Sequence, residues 1–310
     1  MTTVLFHSDF DPPEVWKNCL ARQLSDLEFR VWPDVGVEED VEVALVWKPP
    51  AGMLKKLPNL KLIVNLGAGV DAIVDDPSLP EGVPITRLVD PEMGRMMTQY
   101  VLLAALRHHR DFVAFERARE RRQWHYIHPR PTSEVRIGVM GLGHLGSQVA
   151  QELRRQGFDV AGWARSRKAL PEVESFVGQE ELGPFLQRSD ILVVMLPLTA
   201  ETDTLLDQSR LAMLPQGAKL INVGRGQLLD EHALVEALRN GHIAEATLDV
   251  FREEPLPPEH PFWSMDQVLV TPHLASVAVP ETAAAQVADN ICRAQAGEAV
   301  LNRVEPGRGY

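Results

Sequence analysis

Residues 135–150 read VRIGVMGLGHLGSQVA: a β-branched run, three glycines spaced G-x-G-x-x-G, then an amphipathic stretch. Each glycine answers a separate steric demand, which is why so short a pattern constrains the fold so tightly. Gly141 permits a tight strand-to-helix turn, Gly143 lets the backbone approach a pyrophosphate, and Gly146 lets the helix pack closely on the strand. The helix opening at His144 and Leu145 offers free N–H groups and a partial positive charge to phosphates. A purely structural glycine turn is the alternative, and the strand–turn–helix setting favours a dinucleotide.

The surrounding chain repeats the alternation. Strands are expected at 3–7, 43–47 and 60–66, with a helix over 11–24 whose Pro12 and Pro13 suit a capped start. A long helix without internal proline is expected from Glu92 to about Arg122. A second strand series follows at 135–140, 159–164, 190–196, 218–223, 246–251 and 267–272, with helices at 144–156 and 230–240. Strands alternating with helices imply βαβ units and a parallel sheet covered on both faces. The apolar run ILVVML fits a central strand buried on both sides. At about 150 residues per domain, a chain of this length suggests two domains. The expected division gives residues 1–98 with 284–310 to one domain, which the final helix (280–299) returns to close, and 99–283 to the other.

Dinucleotide sites of this kind usually carry an acid about 20 residues after the glycines, bound to the ribose 2′-OH of NAD. Here the second strand ends in WARSRK, and Asp159 sits at its wrong end. Arg165, Ser166 and Arg167 instead offer charge-assisted bonds to a 2′-phosphate, so NADP(H) is preferred, with NAD(H) second. A solvated basic turn is the alternative.

The charge balance narrows the partners. With 31 basic and 43 acidic side chains the chain carries a net charge of −12, which disfavours nucleic acid and anionic lipid. The arginine-rich ERARERRQWHY (116–126) includes glutamates and reads as a solvated helix face. Cys19 and Cys292 are too few for a disulfide scaffold or a cysteine zinc site, and read as small buried hydrophobes. The adjacent His108 and His109 point to different sides of a helix, so no metal site is expected. Met93, Met96 and Met97 read as core, or as an adaptable cleft wall. No apolar run approaches the ~20 residues of a membrane helix, and no secretory signal is visible, so a cytoplasmic protein is expected. No G-x-S-x-G nucleophile elbow occurs.

Polar residues then follow the ends of successive strands: Arg225 in INVGRGQLLD, Glu253 and Glu254 in LDVFREEPLP, and His273 in VTPHLAS. Ligands of open α/β sheets bind outside the carboxyl ends of the strands, so an arginine, a carboxylate and a histidine are expected to converge on the cofactor.

The pieces NLGAGVD, GLGHLG, NVGRG, LDVFREEPLPPEHPFW and TPHLAS, in this order, resemble the D-2-hydroxyacid dehydrogenase family from about Asn65 onward. WARSRK, EPLPPEHPFW and the terminal RGY resemble its glyoxylate/hydroxypyruvate reductase branch, the bacterial A type. The first sixty residues match only in pattern. The resemblance implies two α/β domains with parallel sheets around a cleft, a flavodoxin-like substrate domain and a Rossmann-type cofactor domain. It implies that Arg225 holds a small 2-oxo or 2-hydroxy acid and that His273 exchanges a proton with its oxygen. Glu254, the glutamate directly preceding proline, would orient the imidazole and favour its protonated form. Formate-oxidising relatives carry glutamine there, so a glutamate points to proton transfer. Asp249 resembles the residue that contacts the nicotinamide carboxamide, a strand-end structural role being the alternative. In NLGAGVD the N–H groups of Ala68 and Gly69 would bind the substrate carboxylate, against the alternative of a plain turn. Trp47 is placed at the pocket or in the core, and Trp124 near a partner's site in a homodimer. The implied reaction is NADPH-dependent reduction of glyoxylate or hydroxypyruvate. An NAD-linked dehydrogenase of a bulkier hydroxy acid and a non-catalytic dinucleotide-sensing protein are the rivals.

Overall fold

The computed structural model describes residues 2–305. The terminal Arg308-Gly309-Tyr310 of the resemblance lies outside the described residues. The chain forms two compact units, 1–93 with 277–310 and 94–276.

The first unit carries β1 (Thr2–His7), α1 (Pro13–Ala21), β2 (Leu27–Val31), β3 (Val43–Val46), β4 (Leu62–Asn65), α2 (Asp71–Val74) and β5 (Ile85–Arg87). All its strand pairs are parallel, in the order β2-β1-β3-β4-β5. That is the 2-1-3-4-5 order of a flavodoxin-like sheet. Successive residues of a strand face opposite ways, so β1, β3 and β4 each feed two cores. Phe6, Leu45, Leu62 and Val64 pack with Trp16, Cys19 and Leu20 of α1, while Leu5, Ala44, Val46 and Ile63 pack with Met53, Leu54 and Ile73.

The chain then passes through α3 (Pro91–His109) and α4 (Phe112–Glu120) into β6 (Arg136–Met140), α5 (His144–Arg155), β7 (Asp159–Ala164), β8 (Glu174–Val177), α6 (Leu182–Gln187) and β9 (Ile191–Val194). After these come α7 (Gln208–Leu211), β10 (Ala218–Asn222), α8 (Glu231–Arg239), β11 (Ile243–Leu248) and β12 (Val268–Val270). The second sheet is also parallel, in the order β12-β11-β10-β9-β6-β7-β8. Counted from β6, this contains the 3-2-1-4-5-6 order of a Rossmann fold, with the switch point between β6 and β9. Strand β9 is buried on both faces: Ile191 and Val193 meet α3 and α5, while Leu192 and Val194 meet α6 and α8. Each such side chain contributes about 1.5–3 kcal/mol of burial.

Finally α9 (Pro280–Ala296) belongs to the first unit, where Ala283, Ala284, Val287 and Ile291 join the core beside α1. Cys292 is exposed rather than buried. It follows the fully buried Ile291, and one helical residue further turns the side chain about 100° toward solvent.

The long helix expected over 92–122 is two helices, broken at Asp111, which adopts φ +55. Aspartate tolerates the left-handed region better than most residues. Lys219 from β10 secures the break, donating to the His108 carbonyl and pairing with Asp111 at 3.4 Å. The strand expected at 246–251 runs instead over 243–248. Glu245 is carried inside it because its carboxylate meets His108 Nδ1 at 2.7 Å and Lys219 at 3.9 Å. Strands β2, β5 and β8 were not anticipated.

Candidate active site

The glycine loop behaves as its spacing demands. Gly141 adopts φ +100, and a Cβ there would lie 2.7 Å from the Met195 carbonyl oxygen. A Cβ on Gly146 would stand 1.8 Å from the Gly141 oxygen, so only glycine lets α5 start this close to the strand. Gly143 is different: a Cβ there meets nothing within 4 Å, and no side chain caps the helix that Gly143 opens. Backbone N–H groups at His144, Leu145 and Gly146 thus begin a helix beneath open space. The residues present fit a pyrophosphate at this helix end.

Arg165, Ser166 and Arg167 are exposed just past β7. Arg167 donates to the Ser175 carbonyl and, at 2.8 Å, to Glu181 Oε1, while Glu181 Oε2 accepts from Val177 N at 2.6 Å. The guanidinium of Arg167 is therefore held against β8, with part of its five-donor fork engaged.

The histidine and glutamate come together. His273 Nδ1 lies 2.9 Å from Glu254 Oε2, and both side chains are about three-quarters buried. The second carboxylate oxygen, Oε1, accepts from Phe251 N at 3.1 Å, which fixes Glu254 against its own loop. A carboxylate only accepts, so Nδ1 carries the hydrogen of this bond. His273 adopts φ +53, a left-handed conformation that costs on the order of 1 kcal/mol in a non-glycine residue.

Asp249 is 1% exposed and ties down the loop around His273. Its Oδ1 accepts from Thr271 Oγ1 (2.6 Å) and Leu274 N (2.9 Å), its Oδ2 from Ala275 N (2.9 Å), and its carbonyl from His273 N (2.8 Å). These bonds tie the Asp249 carboxylate and carbonyl to residues 271–275.

Arg225 stands three residues past the end of β10, partly buried, donating to the Gly224 carbonyl at 2.8 Å. Asn222, fully buried at the strand end, shapes this turn: its amide donates to Arg225 O at 2.9 Å and its oxygen accepts from Gly224 N at 3.1 Å. A Cβ on Gly226 would fall 1.8 Å from the Phe251 carbonyl carbon, so the Arg225 loop and the loop that leads to Glu254 touch backbone to backbone. Arg252 reinforces that contact, donating to Leu229 O at 2.9 Å and Gln227 O at 3.2 Å. Asn222 and Arg252 escaped the sequence reading. Asn222 left one usable signal, an amide residue before a glycine turn.

In the first unit, Asn65 is 2% exposed at the end of β4 and donates to the carbonyls of Gly67 and Gly69, both at 2.8 Å. Ala68 and Gly69 are half-buried. A Cβ on Gly67 would lie 2.2 Å from the Trp47 ring, so Trp47 lies directly over this loop. Asn65 too was missed, although it too is a strand-end amide ahead of glycines. No group of His, Cys, Asp or Glu among the described residues could hold a metal ion, and no helix among them is long and apolar enough to cross a membrane.

Residues 102–275 match the family model described as D-isomer specific 2-hydroxyacid dehydrogenase, NAD binding domain. This chain belongs to the D-isomer specific 2-hydroxyacid dehydrogenases. Its family makes it an NAD(P)-dependent oxidoreductase. A glyoxylate/hydroxypyruvate reductase A of Serratia proteamaculans is 39% identical over 99% of both chains. Among solved structures, a dehydrogenase of this family from Xanthobacter autotrophicus Py2, in complex with NADPH and MES, is 55% identical with a TM-score of 0.95, covering 100% of this chain and 99% of that one. An NADPH-dependent glyoxylate/hydroxypyruvate reductase from Sinorhizobium meliloti, in complex with NADP and sulfate, is 32% identical with a TM-score of 0.93 and full coverage of both chains.

Proposed function

We propose that this dehydrogenase reduces glyoxylate or hydroxypyruvate with NADPH, giving glycolate or glycerate. The observation that carries the reading is the His273–Glu254 pair at 2.9 Å on the loop after β12, within the cofactor-binding unit. The helix end at Gly143–Gly146 and the Arg165–Arg167 turn would hold NADPH, which would supply the hydride that the carbonyl takes up. Arg225 anchors the acid by its carboxylate and polarises the carbonyl, because a guanidinium bonds oxygen anions more strongly as negative charge grows. The N–H groups of Ala68 and Gly69 take the remaining carboxylate contacts. His273 gives the proton on Nε2 to the oxygen that becomes hydroxyl, and Glu254 steadies the ring and its positive charge beforehand. In the reverse direction Nε2 removes that proton.

NADPH over NADH is supported by Arg165, Ser166 and Arg167 at the end of β7, a strand that is followed by RSRK and not by an acidic residue. NADP(H) complexes of the related structures support the same reading. NAD(H) use with another 2-hydroxy acid is the second reading, favoured by one observation: Glu181 already partners Arg167 at 2.8 Å. We also propose a homodimer, supported by Leu103, Phe112, Trp124 and Tyr126, all at least half exposed.

Assaying a panel of 2-oxo acids with NADPH and NADH tests the reading. Glyoxylate and hydroxypyruvate are expected to lead, with NADPH preferred by at least about tenfold in kcat/KM. A protein that binds NADPH yet consumes it with no 2-oxo acid would instead be a dinucleotide sensor.

A further inference from the structure

The loop that presents His273 is fastened to helix α3 by a chain of hydrogen bonds that the proposed chemistry does not itself use. Thr271 Oγ1 donates to Asp249 Oδ1 at 2.6 Å, which spends its only hydrogen. In the second contact of that hydroxyl, 2.5 Å to Tyr100 Oη, the phenol must therefore be the donor. Burial pushes the Tyr100 phenol up to about 12 against the opposing Thr271 bond, with the Asp249 charge adding to the rise, so the donor keeps its hydrogen at any working pH. The direction is unambiguous: Tyr100 to Thr271 to the Asp249 carboxylate.

That carboxylate accepts from Leu274 and Ala275 as well, and the Asp249 carbonyl accepts from His273 N. Residues on both sides of His273 thus converge on one buried aspartate, and His273 is kept at φ +53 between them. Tyr100 supplies a rigid outer end, because its ring packs on the core built from Val101, Ala104 and Ala105 of α3 and Val149 of α5. A backbone conformation that costs energy persists only where its surroundings over-determine it.

We propose that Tyr100 and Thr271 are positioning residues which, through Asp249, hold His273 in register with Glu254 for proton transfer. The inference rests on the reductase reading for its kinetic consequence, and on the bonds alone for its effect on the imidazole. Neither residue is assigned any contact with substrate or cofactor. A loosened loop lets the ring slip from Glu254, which weakens the carboxylate's support for the charged imidazole and lowers the fraction of molecules aligned to deliver a proton.

Tyr100→Phe removes one oxygen and keeps the packing, Thr271→Val breaks both bonds, and Thr271→Ser restores the hydroxyl. In Tyr100→Phe and Thr271→Val, kcat for glyoxylate is expected to fall about tenfold while KM and the NADPH Kd from fluorescence titration stay within about twofold. The alkaline limb of the rate profile should move to lower pH, and Thr271→Ser should return both readouts to near wild type. The His273 ring resonances in ¹H–¹³C NMR, identified by their loss in His273→Ala, should shift their titration to lower pH in Tyr100→Phe. Wild-type kcat, profile and imidazole titration in both Tyr100→Phe and Thr271→Val would overturn the relay, as would a Thr271→Ser no better than Thr271→Val. A wild-type protein inert with every 2-oxo acid and both cofactors would overturn the reductase reading alone, since the imidazole titration then decides the relay without turnover.

Discussion

Two loops at the carboxyl ends of strands, one in each unit, are organised by side chains that differ only in an amide for a carboxylate. At the end of β4 the Asn65 amide donates to two carbonyls of its loop, those of Gly67 and Gly69. Just past β11 the Asp249 carboxylate accepts from the Leu274 and Ala275 N–H groups and the Thr271 hydroxyl. An amide donor draws carbonyls inward, which suits a loop proposed to bind an anion through its N–H groups. A carboxylate draws N–H groups inward, which suits a loop proposed to act through a side chain, His273. The polarity of the buried strand-end residue therefore sets what the loop can offer. Asn222 does both at once, bonding Arg225 O and Gly224 N, and it serves the turn that presents Arg225.

The largest effect is expected at His273, the side chain that the second loop is proposed to present. His273→Ala should cut kcat by about a thousandfold with little change in NADPH affinity, measured by steady-state kinetics beside fluorescence titration. An activity loss below about tenfold would deprive the Asp249 loop of its assigned purpose.

Exchanging the two strand-end residues tests the polarity rule itself. Asp249→Asn turns an amide donor toward groups that already donate, and should lower unfolding free energy by about 1–3 kcal/mol in chemical denaturation. Asn65→Asp sets a carboxylate against two carbonyl oxygens, with a similar loss at neutral pH. Its sign with pH is distinctive. The folded state would raise the new carboxyl's pKa, so the penalty is full above that raised value, shrinks as pH falls through it and is gone below the unfolded value of about 3.9. A penalty for Asn65→Asp that grew on acidification would contradict the arrangement.

The glycine loop sharpens the contrast between glycines that serve folding and those that serve ligands. Gly143→Ala should leave the melting temperature within about 1 °C, since its Cβ meets nothing within 4 Å, yet weaken NADPH binding roughly tenfold by crowding the pyrophosphate. Gly146→Ala, whose Cβ would strike the Gly141 oxygen at 1.8 Å, should melt well below wild type before any ligand is added. Equal melting temperatures would refute the distinction.

The smallest effect belongs to an ion pair away from both loops. Burial opposes ionisation of Asp190, but the side-chain and backbone bonds from Arg136 outweigh it and hold the carboxyl below its ordinary range. A depressed folded value means that this contribution is present above the unfolded pKa and is lost as pH falls through the folded one. Asp190→Asn should therefore flatten the acid side of the stability–pH curve, as followed by thermal melts below about pH 4.

How much of this was readable in advance depended on how local each signal was. The glycine spacing, the doubly buried ILVV run and the strand-end placement of Arg225, Glu254 and His273 were all visible in the sequence, because each arises from neighbours along the chain. Strands β2 and β8, at edges of their sheets and without fully buried residues, lack an apolar signature strong enough to read. Strand β11 was displaced by three residues because Glu245 looks like a loop residue until His108, 137 positions away, is seen bonding it. The end of α3 was hidden for the same reason, since Lys219 bonds the His108 carbonyl from 111 positions away.

By itself the sequence determined the fold class, the family and the residue types available for proton and anion chemistry. Those follow from periodicity and from glycines whose steric need is met within a few residues. Only the tertiary structure decided that Asp249 bonds Leu274 and Ala275, that Glu245 meets His108, and that Tyr100 reaches Thr271. Hydrogen bonds act over about 3 Å, and no pattern in one dimension states which distant atoms a fold will bring within that reach.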